Sequence, residues 1–381
     1  MAGFGPVMPP EGVLLALRVA IVCSWLNQYG GAERVLEVLH SMYPEAPVYT
    51  SVFRPAALPP SWKDWDVRPS ALDRLPLIHQ HHQWFLPAYP YAFEHLDLSG
   101  YDLVLSVSSG FAHGIVTGPK TLHVCYCLTP ARFLWDYHAY VKRENLGRVA
   151  RWVVPMLVRN LRIWDRLAAD RVDHFVAISE TVQRRIAKFY RREAQVIYPP
   201  VDVGRFSLAA ACGEHFLIIS RLVPYKRIDL AVQAFNRLGL PLWVVGDGRD
   251  RAALDRMAAS NVRFLGRLDD AEASRYLSSC RALVFPGEED FGIAPLEAQA
   301  AGRPVIALAA GGALETIVDG TTGVFFNEPT PESLAEAVLR FDSLEFDPVK
   351  IREHAQRFDR SAFQQAFGRF VGRRHAEFCA S

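Results

Sequence analysis

The sequence predicts an α/β protein built from two parallel, doubly wound sheets. Short apolar runs that fit buried strands alternate with amphipathic segments that fit helices, and this alternation predicts βαβ units. The pattern restarts after the stiff segment Pro199-Pro200-Val201-Asp202. At 381 residues the chain can form two domains, each with its own core. We therefore expect a first Rossmann-like domain over 1–200 and a second over 201–360.

The composition indicates a globular protein without a global preference for nucleic acid. Half of the residues are apolar and 22% are charged, which argues against disorder. The 42 Lys and Arg residues are balanced by 41 Asp and Glu residues, so we expect no nucleic-acid partner. Six scattered cysteines, several in apolar runs, suggest reduced and buried thiols in a cytoplasmic protein. The apolar patch near the start is broken by Arg18, so we expect neither a signal peptide nor a membrane span.

The first domain is expected to begin with a strand over 18–24, a glycine turn and a helix through about Met42. Gly30 and Gly31 form the turn, and backbone amides at such a helix start suit phosphates. A Gly-Gly pair also simply makes a tight turn. The G-x-G-x-x-G spacing of dinucleotide-binding turns is missing here, which argues against a nicotinamide enzyme.

The rest of the first domain carries the sheet and a long loop. Further strands are expected at 48–53, 102–108, 121–127, 174–179 and 195–198. Residues 55–100 show little periodicity, and we interpret their histidines as part of a polar loop and not as a metal site. His113 follows the strand 102–108 and is a candidate for contact with a substrate; otherwise it is a loop residue.

Residues 141–171 predict a long, basic, amphipathic helix. Its apolar stripe includes Met156, Leu161 and Leu167, and its arginines lie mainly off that stripe. One interpretation is a peripheral contact with an anionic membrane surface that carries a lipid-linked acceptor. The other is an ordinary helix packed on the sheet, with arginines that extend to solvent. Pro155 inside the stripe predicts a kink or a break.

The second domain repeats the alternation of strand and helix. Strands are expected at 215–220, 242–246, 262–265, 282–285, 305–308 and 323–326. Helices are expected at 226–238, 249–259 and 270–280, and the residues from 331 onward are expected to be helical with a break at Asp347-Pro348.

The segment from Pro286 to Pro304 is expected to form the ligand edge of this sheet. It follows a buried strand, makes a glycine turn, and starts a helix with Pro295 in its first turn. In an open α/β sheet, ligands bind where strands end and helices begin. The amides of Phe291, Gly292 and Ile293 are available there, and the carboxylates of Glu289 and Glu297 can accept hydrogen bonds from vicinal hydroxyls. Taken singly, each acid can equally be a solvated surface charge.

Two cations follow the first strand of the second domain. Arg221 and Lys226 are separated by a loop that Pro224 bends, so both can turn toward a cleft at the ligand edge of the sheet. There they could stabilise a departing phosphate without a metal. The alternative is a pair of surface cations beside a helix start. Gly246-Asp247-Gly248 and Arg267 follow the next two strands, where backbone groups can pair with a nucleotide base.

The pattern formed by Glu289, Phe291-Gly292 and Glu297 resembles the E-x7-E signature of the retaining glycosyltransferases of family four, which have the GT-B fold. Arg221 and Lys226 resemble that family's Arg-x4-Lys motif. The resemblance is strong over about 196–323 and weaker before it. In that family the first Glu faces the donor sugar and the second faces the nucleotide ribose. By analogy, the last helix, 361–381, is expected to cross back onto the first domain.

The resemblance implies transfer of a hexose from a nucleotide-sugar donor to a glycan or polyprenyl-linked acceptor, with the leaving phosphate helping to deprotonate the acceptor hydroxyl. The segment Gly30-Gly31-Ala32-Glu33-Arg34 and the runs 126–136 and 199–202 look similar to bacterial mannosyltransferases of polysaccharide assembly, which implies GDP-mannose. No D-x-D motif stands at the relevant strand end, so we expect no metal and no other cofactor.

The expected catalytic residues are Arg221, Lys226 and Glu289. The expected donor-binding residues are Gly30, Gly31, Gly246, Asp247, Gly248, Arg267, Asp290, Phe291, Gly292, Ile293 and Glu297.

One position departs from the family pattern. A His often follows the strand 121–127 and contacts the donor sugar in that family, and Leu128 stands there in this sequence. Either the contact is absent, or His113 or His123 approaches the sugar from elsewhere. This difference keeps a second hypothesis open, a catalytically weak or inactive subunit that binds nucleotide sugars. A GT-B epimerase is a third, weaker hypothesis, because the sequence offers no obvious acid–base pair for it.

Overall fold

The computed structural model describes residues 17–137, 150–208 and 212–380, and the side chains of 150–153 lie outside this description. The expectations for residues 1–16 and for the start of the basic helix, 141–149, also lie outside it. Within the described part the chain forms two parallel sheets, each with helices on both faces, as the alternation of strands and helices predicts.

The first sheet has seven parallel strands in the order β3-β2-β1-β4-β5-β6-β7. The strands are β1 (Val19–Cys23), β2 (Val48–Thr50), β3 (Val67–Pro69), β4 (Leu103–Ser108), β5 (Leu122–Cys127), β6 (His174–Ala177) and β7 (Ala194–Val196). The α-helices are Gly31–Met42, Ile78–His81, Tyr89–Glu94, Arg132–Trp135, Ala150–Ala168 and Glu180–Phe189.

The second sheet has six parallel strands in the order β10-β9-β8-β11-β12-β13. The strands are β8 (Phe216–Ile219), β9 (Leu242–Val245), β10 (Val262–Gly266), β11 (Leu283–Phe285), β12 (Val305–Leu308) and β13 (Gly323–Phe326). The α-helices are Ile228–Leu238, Arg251–Met257, Asp270–Ser279, Ile293–Ala300, Ala313–Thr316, Pro331–Asp342, Pro348–Gln356 and Arg360–Ala380.

The long loop of the first domain is more ordered than its sequence predicts. It contributes the edge strand β3, which pairs with β2, and several short helical turns. The strand has only three residues and ends in Pro69, so it has no alternating apolar pattern that a sequence window could detect. Trp62 from the same region is buried and stacks on Trp65, with ring centroids 4.0 Å apart.

The two domains share one apolar cluster, which includes Val201 of the linking segment 199–202, called the hinge below. Val201 donates its backbone N–H to Phe358 O at 2.9 Å, which ties the linker to the end of the chain. The final helix, Arg360–Ala380, packs on the first domain, where Phe363 and Phe367 lie edge-on against Tyr126. The chain therefore crosses back onto the first domain at this helix.

The cysteines only partly match the expectation of burial. Cys23, Cys125, Cys127 and Cys280 are buried, whereas Cys212 and Cys379 are exposed, and all six are free thiols. Cys212 lies in the loop before β8, and Cys379 lies in the last turn of the final helix, so neither position is enclosed by a sheet. No helix among the described residues is both long enough and apolar enough to cross a membrane.

Candidate functional site

The candidate site lies where the loops after β1, β8 and β11 meet. These loops leave the carboxyl ends of their strands, which is the edge where ligands bind in open α/β sheets. Three close approaches bring them together: Arg221 with Gln28, Lys226 with Glu289, and Gly31 with Ile293. The first and third of these join the two domains, so the site is a cleft between them.

Lys226 and Glu289 form an ion pair at the carboxyl ends of β8 and β11. Both side chains are largely buried, at 15% and 19% exposed. Lys226 ends a short 3-10 turn that Pro224 opens, and Gly287 allows the loop after β11 to lie against the Tyr225 and Lys226 carbonyls. The pair therefore has a fixed position between the two loops, beside the helix Ile293–Ala300.

Arg221 is the exposed cation of the site. Its guanidinium donates to Gln28 Oε1 at 3.2 Å and to the Tyr225 hydroxyl at 2.9 Å. Both partners are neutral, so neither of them neutralises the Arg221 charge. An exposed guanidinium held by two neutral groups retains donors for an anionic ligand.

The start of the helix Ile293–Ala300 has the backbone geometry that the sequence predicts. Gly292 is its N-cap and has φ +92°, a conformation that L side chains rarely adopt. Phe291 is buried and stacks on Tyr198, with ring centroids 5.6 Å apart. Pro295 lies in the first turn, as expected. Because Phe291 is packed in this way, the free backbone amides at the start of the helix point in a fixed direction.

Gly246 and Gly248 are required by the packing of the loop after β9. Gly246 has φ +127°, and a Cβ atom there would lie 1.9 Å from Ser220 O. A Cβ atom on Gly248 would lie 2.3 Å from Leu222 O. The Asp247 carboxylate accepts a hydrogen bond from the Gly248 N–H at 2.8 Å. Arg267 is exposed after β10. This loop therefore packs directly against the loop that carries Arg221.

Glu297 has partners that its expected role did not include. It is 8% exposed and forms ion pairs with Arg34 from the first domain and with Arg205 from the linker side, the latter at 2.8 Å. Asp270 accepts from the same two arginines, at 3.0 and 2.8 Å. The ribose role expected for Glu297 stays a prediction, and in this structure the carboxylate joins the two domains.

Asp290 also makes contacts between the domains. Its carboxylate pairs with Arg185, and its carbonyl accepts from the Ser179 hydroxyl at 2.6 Å. Glu315 lies nearby and accepts from the backbone N–H groups of Glu180 and Thr181, at 2.7 and 3.0 Å. Glu315 thus caps a helix of the other domain, where a carboxylate is favoured by the exposed amides.

These interdomain partners were missed at the level of the sequence. Arg34 is part of the Gly-Gly-Ala-Glu-Arg segment, and that segment is the only sequence signal that pointed toward it. Arg185, Arg205, Asp270 and Glu315 occupy ordinary helical or loop positions, and only the meeting of the two domains shows what they contact.

His113 is fully buried in the first domain and is not exposed to the cleft. Its ring lies 3.2 Å from the Ser108 hydroxyl and 3.4 Å from the Asp165 carboxylate. Burial raises the pKa of Asp165, although Trp135 donates to the same carboxylate at 2.7 Å. This geometry favours a role for His113 in the core of the first domain over contact with a ligand.

Leu128 follows β5 directly, as the sequence predicts, and its half-buried side chain packs against the core of the first domain. His123 on the same strand is fully buried, and burial lowers its pKa to about 3. In the described residues, therefore, neither His113 nor His123 replaces the histidine that the family pattern places at position 128.

The histidines of the long loop do not form a metal centre within the described residues, which contain no group of three potential ligands. His79 lies 3.6 Å from the carboxylate of Asp73. His81 stacks on Trp84 with ring centroids 4.2 Å apart. These contacts explain the histidines as parts of the loop.

Two family models match consecutive parts of the chain. The model described as Glycosyltransferase Family 4 matches residues 29–205, and the model described as Glycosyl transferases group 1 matches residues 208–364. The boundary between the two matches falls close to the hinge.

Curated relatives are similar over part of their length. An uncharacterized glycosyltransferase of Methanocaldococcus jannaschii is 25% identical over 205 residues, which cover 52% of this chain and 58% of that protein. A glycogen synthase of Mycobacterium tuberculosis is 29% identical over 235 residues, which cover 57% of this chain and 56% of the relative. The matches thus span somewhat more than half the length of these relatives.

Solved structures share the fold over nearly the whole chain. HepE of Anabaena, solved in complex with UDP, has a TM-score of 0.70 at 18% identity and covers 93% of this chain and 100% of its own. The same protein has also been solved with UDP-glucose, again with a TM-score of 0.70. From its two matching models and its fold, this chain consists of a glycosyltransferase family 4-like domain followed by a glycosyltransferase group 1-like domain, in the GT-B arrangement.

Proposed function

We propose that the protein is a retaining glycosyltransferase that moves a hexose from a nucleotide sugar to a hydroxyl group of a glycan or of a lipid-linked acceptor. The observation that carries the proposal is the convergence of Arg221, Lys226 and Glu289 beside the start of the helix Ile293–Ala300. The match of both domains to glycosyltransferase families supports it.

The two cations are suited to the departure of a nucleoside diphosphate. Negative charge develops on the leaving phosphate as the glycosidic bond breaks, and fixed donors that face it lower the barrier. Arg221 offers a planar fork, and Lys226 offers a point charge that Glu289 holds in place. Because these residues supply positive charge, we propose that transfer requires no metal. Unchanged turnover in excess EDTA is the expected result.

Glu289 is proposed to face the donor sugar. Its carboxylate lies at the carboxyl end of β11 and, with about four acceptor positions on its two oxygens, can accept hydrogen bonds from two hydroxyls while it keeps its pair with Lys226. The amides of Phe291 to Ile293 lie on the same side, and Glu297 is proposed to hold the ribose. For Glu297 this requires that the ribose compete with Arg34 and Arg205 for the carboxylate.

The donor is best identified by a panel of nucleotide sugars. GDP-mannose is proposed from the motifs, whereas HepE, with the same fold, has been solved with UDP-glucose, so both belong in the panel. A ligand that binds only the folded state raises its stability, by about 2.7 kcal/mol at one hundred times the Kd. The experiment measures the thermal shift with each donor and then the release of nucleoside diphosphate with acceptors present. Absence of both signals for every donor would refute the proposal.

The anomeric outcome needs its own measurement. A retaining reaction gives a product with the same anomeric configuration as the donor sugar, and the transfer product can be assigned from its NMR spectrum. An inverted product would leave the transferase proposal standing and would remove the retaining mechanism.

The membrane contact is proposed from one helix face. Met156, Ile163 and Leu167 of the helix Ala150–Ala168 are all exposed, Met156 to 71%, and Arg159 is exposed beside them. Apolar side chains flanked by cations suit an anionic bilayer surface such as the inner face of the plasma membrane. Leu161 is buried, and Arg162 donates to Leu134 O, so the opposite face packs as an ordinary helix.

Sedimentation with vesicles tests the membrane contact. The protein should co-sediment with anionic vesicles at low salt and be released as the salt concentration rises. Replacement of Ile163 by Ser should weaken this binding, while Ser in place of Leu339, an exposed apolar residue of the second domain, should not. Sedimentation that does not depend on lipid charge would contradict the proposal.

A second candidate function is supported by Leu128. If the histidine that is missing there is essential, the protein binds a nucleotide sugar without transferring its sugar. Donor binding by thermal shift, together with no release of nucleoside diphosphate over a long incubation with varied acceptors, would favour this subunit over the enzyme.

A further inference from the structure

Glu33 is a buried carboxyl group at the wall of the cleft that the proposed reaction has not used. It is the third residue of the helix Gly31–Met42, whose N-cap is Gly30, and it is 4% exposed. The Gly30 backbone N–H favours the ionised form of the Glu33 carboxyl and so acts to lower its pKa. A Cβ atom on Gly30 would lie 3.5 Å from Glu33 Oε2, so the carboxyl lies directly on the glycine turn.

The Glu33 carboxyl lies beside the glycine turn, close to the point where Arg221 of the second domain bonds Gln28 of the first. Arg221, from the second domain, interacts with it electrostatically. A Cβ atom on Gly31 would lie 2.9 Å from Ile293 Cδ1, so the glycine turn is in contact with the start of the helix Ile293–Ala300. The Cys23 thiol at the end of β1 is a further titratable group that the charge of Glu33 affects. Glu33 thus lies on the glycine turn, and Arg221, the cation expected to hold phosphate, bonds Gln28 just before that turn at 3.2 Å.

Opposing effects place the pKa of the Glu33 carboxyl near neutrality. Burial raises the pKa of Glu33 to about 7, while hydrogen bonds from backbone N–H groups and the charge of Arg221 act in the opposite direction. Burial raises the pKa of Cys23 to about 12, so that thiol stays neutral over the same range. Any change that removes the influence of Arg221, or adds negative charge nearby, favours the neutral carboxyl of Glu33.

We propose that Glu33 is a positioning residue that couples donor binding to a proton: the diphosphate of the nucleotide sugar binds beside Gly30, Gly31 and Arg221 when the Glu33 carboxyl is neutral. This inference rests on the proposed function, since it assumes that Arg221 contacts the diphosphate. When the carboxyl is ionised, binding is accompanied by uptake of one proton from solvent onto a Glu33 oxygen. The proton lessens the repulsion between two negative groups and leaves the carboxyl able to donate a hydrogen bond.

The sign of the pH dependence follows from this step. Below the pKa of Glu33 the carboxyl is already neutral, and donor affinity should not change with pH. Above it, each bound donor requires a proton, so Kd should rise with pH, by up to about tenfold per pH unit. The two phosphates of a nucleotide sugar are diesters without a proton that titrates near neutrality, unlike the terminal phosphate of a free diphosphate with its pKa of about 6. The intact donor is therefore the right probe.

The experiment is calorimetric titration of the full chain with the donor found in the panel, from pH 6 to pH 9. In wild-type protein Kd should rise above pH 7, and titrations in two buffers of different ionisation enthalpy should show uptake of nearly one proton at pH 8. Glu33→Gln keeps an acceptor for the Gly30 N–H and cannot titrate, so its Kd should be nearly independent of pH. The exposed Glu45, replaced by Gln, is the control and should behave as wild type.

The proton count in wild-type protein tests the inference even if the Glu33→Gln variant does not fold. No proton uptake by wild-type protein at pH 8, or identical pH profiles for wild type and the variant, would overturn the role of Glu33 while donor binding itself still supported the proposed function. No binding of any nucleotide sugar at any pH would instead reject the proposed function, and this inference with it.

Discussion

Replacement of Arg221 by Ala separates catalysis from stability at the candidate site. The guanidinium is exposed and bonds two neutral groups, Gln28 and the Tyr225 hydroxyl. Its removal breaks no ion pair, and both former partners can bond water, while the buried Glu33 carboxyl that Arg221 influences can take up a proton and become neutral. We therefore expect the free energy of unfolding to change by less than about 0.5 kcal/mol, as for other exposed positions.

The effect on turnover should be much larger. Two unit charges 4 Å apart interact by about 4 kcal/mol at an effective dielectric constant near 20. Loss of a comparable fixed donor to a developing anion costs about 10²–10³ in kcat. Because the charge on the leaving phosphate grows as the bond breaks, most of this loss should appear in kcat and less in KM for the donor.

The assay is steady-state release of nucleoside diphosphate with saturating acceptor, beside thermal unfolding of the same samples. Arg256→Ala removes an exposed cation from the helix Arg251–Met257 of the second domain and is the matched control, with near-normal turnover expected. Arg221→Lys keeps the positive charge but not the planar fork of donors, and its turnover should lie between those of Arg221→Ala and Arg256→Ala. Near-normal turnover in Arg221→Ala would refute the assignment of this residue to the leaving phosphate.

Three further predictions concern the parts that hold the site in place. Lys226→Met should reduce turnover at least as strongly as Arg221→Ala, and should also lower the free energy of unfolding by about 1–3 kcal/mol, because it leaves the largely buried Glu289 carboxylate without its partner; an unchanged melting temperature would contradict this reasoning. Gly246→Ala should destabilise the protein by at least about 1–3 kcal/mol, since the new methyl group would meet a backbone carbonyl oxygen at 1.9 Å and the backbone has φ +127°; chemical denaturation measures the loss, and a stable variant would show that the loop can move. Glu315→Gln should weaken the contact with the helix Glu180–Phe189, because an amide is a poorer partner for a helix start than a carboxylate. The chain should then shift toward a more open form with a larger radius of gyration in small-angle scattering. An identical scattering profile would show that Glu315 does not hold the two domains together.

The regular elements were predictable because they depend on local patterns. Apolar runs such as Val19–Cys23 and Leu122–Cys127 are buried on both faces of a parallel sheet, so they stand out as continuous apolar segments. The edge strand Val67–Pro69 was missed because a three-residue strand at an edge needs no apolar pattern and is defined by its pairing with β2. The last helix was expected from residue 361 and begins at Arg360, and the break before it coincides with the bonds to Val201.

The sequence by itself determined the two parallel sheets, the hinge near Pro199, and the loops that carry Arg221, Lys226, Glu289 and the start of the helix Ile293–Ala300, because strand ends and glycine turns are written in short local segments. Only the tertiary structure decided what these groups face, since every deciding contact joins residues far apart in the chain. It set Arg34 on Glu297 and Glu315 on a helix of the other domain. It also buried His113 against Asp165 and enclosed Glu33 at the glycine turn, so that burial and the charge of Arg221, and not residue type, fix the proton affinity of Glu33.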